Sequence, residues 1–196
     1  MGSEMCIRDS VFASPSHLLG RNTDAHFNLL RARSKATYVY SRGYVERLYN
    51  VSTRSDLVVR ATGQLSSGRL LPTEQLGFGG FNTVRGYDMR AANGDNGYIL
   101  NFEFRTKPIT GCCNGKETSL TLLAFSDFAQ QFNWRPENAI NELNGEILAS
   151  AGVGFRYLID PNCTIRFDYG FPFTELPNNI HDNKNGRVHI GAVFAY

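Results

Sequence analysis

Alternation with a period of two runs through most of the chain and leaves little room for anything but sheet. In NGYILNFEFRT (96–106), Tyr98, Leu100, Phe102 and Phe104 fall on one face and Ile99, Asn101, Glu103 and Arg105 on the other. The same period sets Val188, Ile190, Ala192, Phe194 and Tyr196 against Arg187, His189, Gly191, Val193 and Ala195. It also sets Ile165, Phe167 and Tyr169 against Arg166, Asp168 and Gly170. DLVVRATGQLS (56–66), SLTLLAFSDFA (119–129), ILASAGVGFRYL (147–158) and ATYVYSRGYVERL (36–48) read as four further strands, and 11–14 as the tail of another. About seven or eight strands are therefore expected.

Alternation by itself suits a soluble sandwich as well as a membrane barrel, because each has one apolar and one polar face. Two features favour the barrel. Apart from the medium connection TKPITGCCNGKET (106–118), the connections alternate short with long: NVSTRS and DPNC are tight, whereas 67–95, the 133–146 region and TELPNNIHDNKNG are long. The polar faces also carry arginine beside glycine (Arg166 and Gly170, Gly154 and Arg156, Arg187 and Gly191), which suits a lumen. No run approaches the roughly 18 apolar residues of a spanning helix. A net charge of +2, with dispersed Lys and Arg, supplies no basic stripe for nucleic acid.

Met1 to Ser10 lack both strand periodicity and the apolar stretch of an export signal, so residues 1–10 are expected to be disordered or foreign to a fold that occupies 11–196. The cysteines, Cys6, Cys112, Cys113 and Cys163, have no zinc-type spacing and no histidine pair nearby, so no metal is expected. A bridge from Cys112 or Cys113 to Cys163 requires an oxidising compartment, and free thiols explain the pattern equally well.

The stretch GFGGFNTVRGYD (77–88) is the informative one. It is not a phosphate loop: no Lys-Ser or Lys-Thr follows, and Asn82 stands where a dinucleotide fingerprint needs its third glycine. No nucleophile stands beside a base anywhere, so neither catalysis nor a cofactor is indicated. Gly77, Gly79, Gly80 and Gly86 would let the loop turn tightly and approach other backbone. Arg85 is the residue left over. A loop arginine ordinarily satisfies itself with carbonyls of its own turn or with water. The alternative is a loop folded back into a barrel, with Arg85 paired to a lumen-facing acid. Glu103 is one candidate, and Asp127, in phase with Phe125 and Ala129, is the other.

LLPTEQLGFGGFNTVRGYDMRAANGDNGYILNFEFRT resembles the outer-membrane transporters of two-partner secretion, the haemolysin activator and secretion proteins, within the superfamily that includes the BamA insertase. Val84, Arg85, Gly86 and Tyr87 resemble the tip of that family's sixth extracellular loop, here 67–95, which folds into the lumen. FSDFA is similar to the strand motif Phe-x-Asp-x-Gly, so the resemblance makes Asp127 the partner of Arg85 and Glu103 the neighbouring acid. Ala129 departs from the motif's glycine. The last strand, with Phe194 and Tyr196, resembles the aromatic-terminated signal read by the barrel-assembly machinery.

The resemblance implies an all-β, antiparallel transmembrane barrel, of which this chain would be the C-terminal half of sixteen strands. It implies secretion of an exoprotein client across the bacterial outer membrane, with two POTRA domains elsewhere in the family's proteins. A BamA-like insertase shares the arginine loop, whereas a soluble β-sandwich binding module or a passive porin would share only the alternation.

Overall fold

In a computed structural model, the described residues are 3–17, 20, 22–113, 116–135, 142, 144–159, 163–176 and 185–194. In chain order the elements are β1 (Ser3–Ser14), α1 (Asp24–Leu30), β2 (Tyr38–Ser52), β3 (Ser55–Ser66), β4 (Leu76–Phe78) and β5 (Ala92–Gly94). They continue as β6 (Asn96–Thr106), β7 (Ile109–Cys113), β8 (Lys116–Phe132), β9 (Ile147–Ile159), β10 (Cys163–Pro172) and β11 (Arg187–Phe194).

Among the described residues, nine of these strands form one sheet in the order β1-β2-β3-β6-β8-β9-β10-β11, with β7 continuing the β6 side of β8. Every pairing is antiparallel: β3 pairs with β6 across the β4–β5 segment and β6 with β8 across β7, and the others join consecutive strands. β4 and β5 make a separate two-stranded ribbon inside the 67–95 connection. The large sheet is open, with β1 and β11 as its edges. Its connections are sorted by end: the β2–β3 turn lies at one end, and the four long connections before β2, β6, β9 and β11 lie at the other.

Register keeps the two faces separate across the sheet. Arg60 lies opposite Asn101, Asn101 opposite Asp127, and Asp127 opposite Ser150, so one row of polar side chains crosses four strands. On β6, Phe102 and Phe104 are 42% and 48% exposed while Asn101 and Glu103 are 7% and 2% exposed. A slip of one residue would exchange the two sets. The outer face of β11 likewise exposes Val188, Ile190 and Phe194. Tyr196 lies outside the described residues.

Two expectations need correction. Residues 3–10, which lack alternation, are not disordered but make up most of β1 and pair residue by residue with β2, as in Cys6 with Glu46 and Arg8 with Tyr44. Strand pairing is made by main-chain groups, and the 15-residue β2 offers a free edge that any extended segment can satisfy. The 107–118 connection is more than a loop: β7 pairs with the first residues of β8, Ile109 with Leu120 and Cys112 with Glu117. Of the cysteines, Cys6, Cys112 and Cys163 are free thiols.

The core lies on the inner face at the long-loop end. Leu76, Phe78, Val84, Tyr87 and Ala92 from the 67–95 connection pack on Ile99, Ala129 and Leu148 of three successive strands, with Leu176 beside them. Ile99 is the apolar exception on the polar face of β6, and the folded-in loop supplies its contacts.

Candidate functional site

The β4–β5 ribbon is the stem on which the loop tip is carried. Phe78 pairs with Ala92, after which Gly79 and Gly80 turn the chain with φ of +98° and +102°. A Cβ on Gly79 would lie 2.5 Å from the Asp88 carbonyl oxygen, so a side chain is barred by space as well as by conformation. Hydrogen bonds from the Gly80 amide to the Val84 carbonyl (3.0 Å) and from the Arg90 amide to the Gly79 carbonyl (3.1 Å) close the tip on itself. Gly77 is part of the stem, where a Cβ would meet only the movable Arg90 side chain.

Arg85 is 3% exposed. Its Nε donates to Asp127 Oδ2 at 2.7 Å and its Nη2 to Asp127 Oδ1 at 2.8 Å, a two-pronged fork on one carboxylate. The backbone amide of Arg85 adds a third bond to Asp127 Oδ2 at 3.0 Å. Nη1 turns the other way and donates to Glu103 Oε1 at 2.7 Å. The guanidinium lies flat on the Phe125 ring, 3.5 Å from its centroid. Burial disfavours the Arg85 charge, but the hydrogen bonds and charge of Asp127, with Glu103 and Asp168 nearby, leave its pKa above the ordinary arginine value.

Three further residues complete this pocket. Asp168 of β10 is fully buried, 3.9 Å from Arg85 Nη1, and is gripped at both oxygens by Arg156 at 2.8 and 2.9 Å. Asn101 donates to Asp127 Oδ1 at 2.8 Å. Gly152, opposite Phe125 in the register, leaves the space the ring occupies: a Cβ there would be 2.5 Å from Phe125 Cζ.

Beside Arg85, Gly86 has φ of +95° and its amide donates to His189 Nε2 at 3.2 Å. Tyr87 is fully buried, with its hydroxyl 2.9 Å from the Ala149 carbonyl oxygen, 2.8 Å from the Thr174 carbonyl oxygen and 2.7 Å from Thr174 Oγ1. Asp88 forms an ion pair with Arg187 of β11. The tip therefore touches β6, β8, β9, β10 and β11 within five consecutive residues.

A second buried polar cluster sits at the base of the same loop. Asp95 has no exposure and receives Arg31 at both oxygens, the Leu70 amide at 3.0 Å, Gln75 Nε2 at 3.2 Å and the Trp134 amide at 2.9 Å. Arg31 also reaches Glu142, which Arg69 holds at 2.9 Å. This cluster joins the connection before β2, both ends of the tip loop and the connection after β8. Burial disfavours the Arg31 charge, but hydrogen bonds to Asp95 and Glu142 raise its pKa.

Of the residues singled out from the sequence, the structure brings Arg85, Glu103, Phe125 and Asp127 into direct contact. Val84 and Ala129 sit beside them in the apolar cluster, where the Ala129 methyl is fully enclosed. Phe194, at the edge of the sheet and outward, takes no part. Sequence reasoning missed Asp168, Arg156, Gly152, Asp95 and Arg31. Asp168 carried a usable signal, being in phase with Gly170 on a polar face; the loop residues Asp95 and Arg31 carried none.

A family model described as haemolysin secretion/activation protein ShlB/FhaC/HecB matches residues 17–157, a span that holds the whole tip loop, Glu103 and Asp127. No curated protein matches the chain. The matched span is well over half of the 196 residues, and the chain belongs to this family of outer-membrane secretion and activation proteins of two-partner secretion.

Proposed function

We propose that this chain is the C-terminal half of a sixteen-stranded outer-membrane barrel, and that an exoprotein of haemolysin or adhesin type leaves the cell through its lumen. The inner face is the lumen wall in this reading, the outer face meets lipid, and the long connections lie outside the cell. Membership of the family supports export of a partner exoprotein. The observation that carries the rest is the buried anchoring of Arg85 by Asp127 and Glu103, which holds a 29-residue connection (67–95) against the inner wall. An arginine serving only its own turn would have no use for acids on two different strands.

In this role Val84, Arg85, Gly86 and Tyr87 form the tip that must be held for transport, and Phe125, Asp127 and Ala129 its seat. Phe194 closes the last described strand, and with Tyr196 two positions on in the sequence it supplies the aromatic signal that the assembly machinery reads during insertion. The test uses the intact transporter expressed with its exoprotein. Arg85→Ala, at equal barrel levels in urea-washed outer membranes, is expected to abolish most of the exoprotein in the medium. Undiminished secretion would refute a transport role for the tip, and recovery of the wild-type protein in the soluble fraction would refute the barrel itself.

A further inference from the structure

Arg166 is an inward-facing cation that no carboxylate among the described residues contacts, although Asp168 and Glu103 lie within electrostatic range. Around the tip, Arg60 engages Glu46 and Glu103, Arg105 engages Glu103, Arg85 engages Asp127 and Glu103, and Arg156 engages Asp168. Glu46, Glu103, Asp127 and Asp168 thus face Arg60, Arg85, Arg105, Arg156 and Arg166, four carboxylates against five guanidiniums. Among the described residues Arg166 makes no hydrogen bond or ion pair, and its Nε is buried without a partner. Its guanidinium is stacked on the Phe81 ring of the tip loop, 4.0 Å from the centroid.

Stacking fixes the plane of a guanidinium but leaves its N–H groups free along the edge. The arrangement is held from behind: Phe81 lies 6.1 Å from the His189 ring, and over Gly191, where a Cβ would be 3.8 Å from the ring. A second polar atom is stranded close by. Thr83 Oγ1 is buried with no hydrogen-bond partner, and Thr83, Arg166 and Phe81 line one cavity of about 310 Å³ whose other walls include Tyr44, Asn82 and Asn101 and the carboxylates of Glu46 and Glu103, both already paired with Arg60, Arg85 or Arg105. Two residues that each keep a polar atom without a partner border the same cavity, which leaves hydrogen-bonding capacity beside it unused.

We propose that Arg166 and Thr83, backed by Phe81, form a lumenal contact for a carboxylate carried by the extended polypeptide in transit. A carboxylate accepts two parallel bonds from a guanidinium edge, which a chloride or a single carbonyl oxygen does not. The cavity holds one acidic side chain and not a folded domain. Because Phe81 belongs to the tip loop, an occupied site lies against the part of the loop that Arg85 anchors. The proposal rests on the reading of the inner face as an export path.

The test is single-channel recording of the intact transporter in planar bilayers, with a synthetic oligoglutamate of about ten residues, at most roughly 35 Å long when extended, as the probe. Oligoglutamate is expected to produce transient blockades whose dwell time falls about tenfold in Arg166→Gln, roughly one lost charge-assisted contact. Arg166→Lys, which keeps the charge without the fork, should fall between, and oligolysine should not respond to either change. Heat-modifiable migration verifies that each variant barrel is folded. Equal oligoglutamate dwell times in wild type and Arg166→Gln would overturn the site while leaving the transporter reading intact. Failure of wild-type protein to release exoprotein would count against that reading, and the peptide dwell times would still decide the site.

Discussion

Gly170 of β10 lies directly under Gly86 of the loop tip. A Cβ built on Gly170 would stand 2.5 Å from the Gly86 nitrogen and 2.7 Å from the Arg85 carbonyl carbon, both backbone atoms of a fixed tip. The tip can reach Asp127 because the wall beneath it has no side chain. Gly170→Val should therefore lift Arg85 out of its seat and expose the loop to added protease on whole cells. Gly43→Ala, at an inter-strand position where a Cβ meets nothing within 4 Å, is the control and should leave cleavage unchanged. Equal protection in both variants would show that the tip does not need this floor.

Arg85 and Asp127 act on one another through three hydrogen bonds, so their losses should not add. Arg85→Lys keeps the charge but cannot form the fork, and secretion should fall even though an ion pair is still possible. Arg85→Ala and Asp127→Ala should each be at least as severe, with the double variant little worse than either. Strictly additive losses, measured as exoprotein released per folded barrel, would mean that the two residues work independently.

The strands of this fold were legible because pleating ties facing to sequence parity, and an apolar outer face against an inner face of polar groups leaves a visible period of two. Arg85 and Asp127 could be matched on the same ground, since the phase of Asp127 with Phe125 and Ala129 already turned it inward. Asp168 lay in an inward phase too, but its nearness to Arg85 depends on how deep the tip reaches across β8 and β9, which no local pattern encodes. Residues 3–10 pair through backbone alone, with no side-chain period to betray it. The Asp95 cluster was illegible for a different reason: its members are loop residues separated by 64 and 111 positions, brought together only when three connections fold over one end.

That cluster should be the most costly of the loop contacts to break. Asp95 has no exposure and five donors depend on it, among them the Leu70 and Trp134 amides. Asp95→Ala leaves the buried Arg31 charge without that partner, a change that typically costs about 3 to 5 kcal/mol. The barrel end should loosen first, so the urea concentration at which heat-modifiable migration is lost should drop. Asp95→Asn retains acceptor capacity at one oxygen and should lie between. An unchanged urea midpoint in Asp95→Ala would show that the loops are held elsewhere.

The two faces of the sheet make opposite predictions for water. Phe102 and Leu65 are 42% and 71% exposed on the outer face, flanked by further apolar side chains, whereas Thr62, one residue away in strand parity, faces the polar interior. A barrel in a bilayer places the first two against hydrocarbon and the third against water. In a cysteine-free background, Thr62→Cys should react with a membrane-impermeant maleimide in outer-membrane vesicles, while Phe102→Cys and Leu65→Cys should stay unlabelled until the vesicles are dissolved in detergent and the protein is unfolded in urea. A soluble sandwich also protects its apolar face, by packing it on a second sheet, so recovery of the protein in the vesicle pellet is what separates the two architectures. Rapid labelling at 102 and 65 with protection at 62 would overturn the assignment of the outer face to hydrocarbon, independently of any secretion assay.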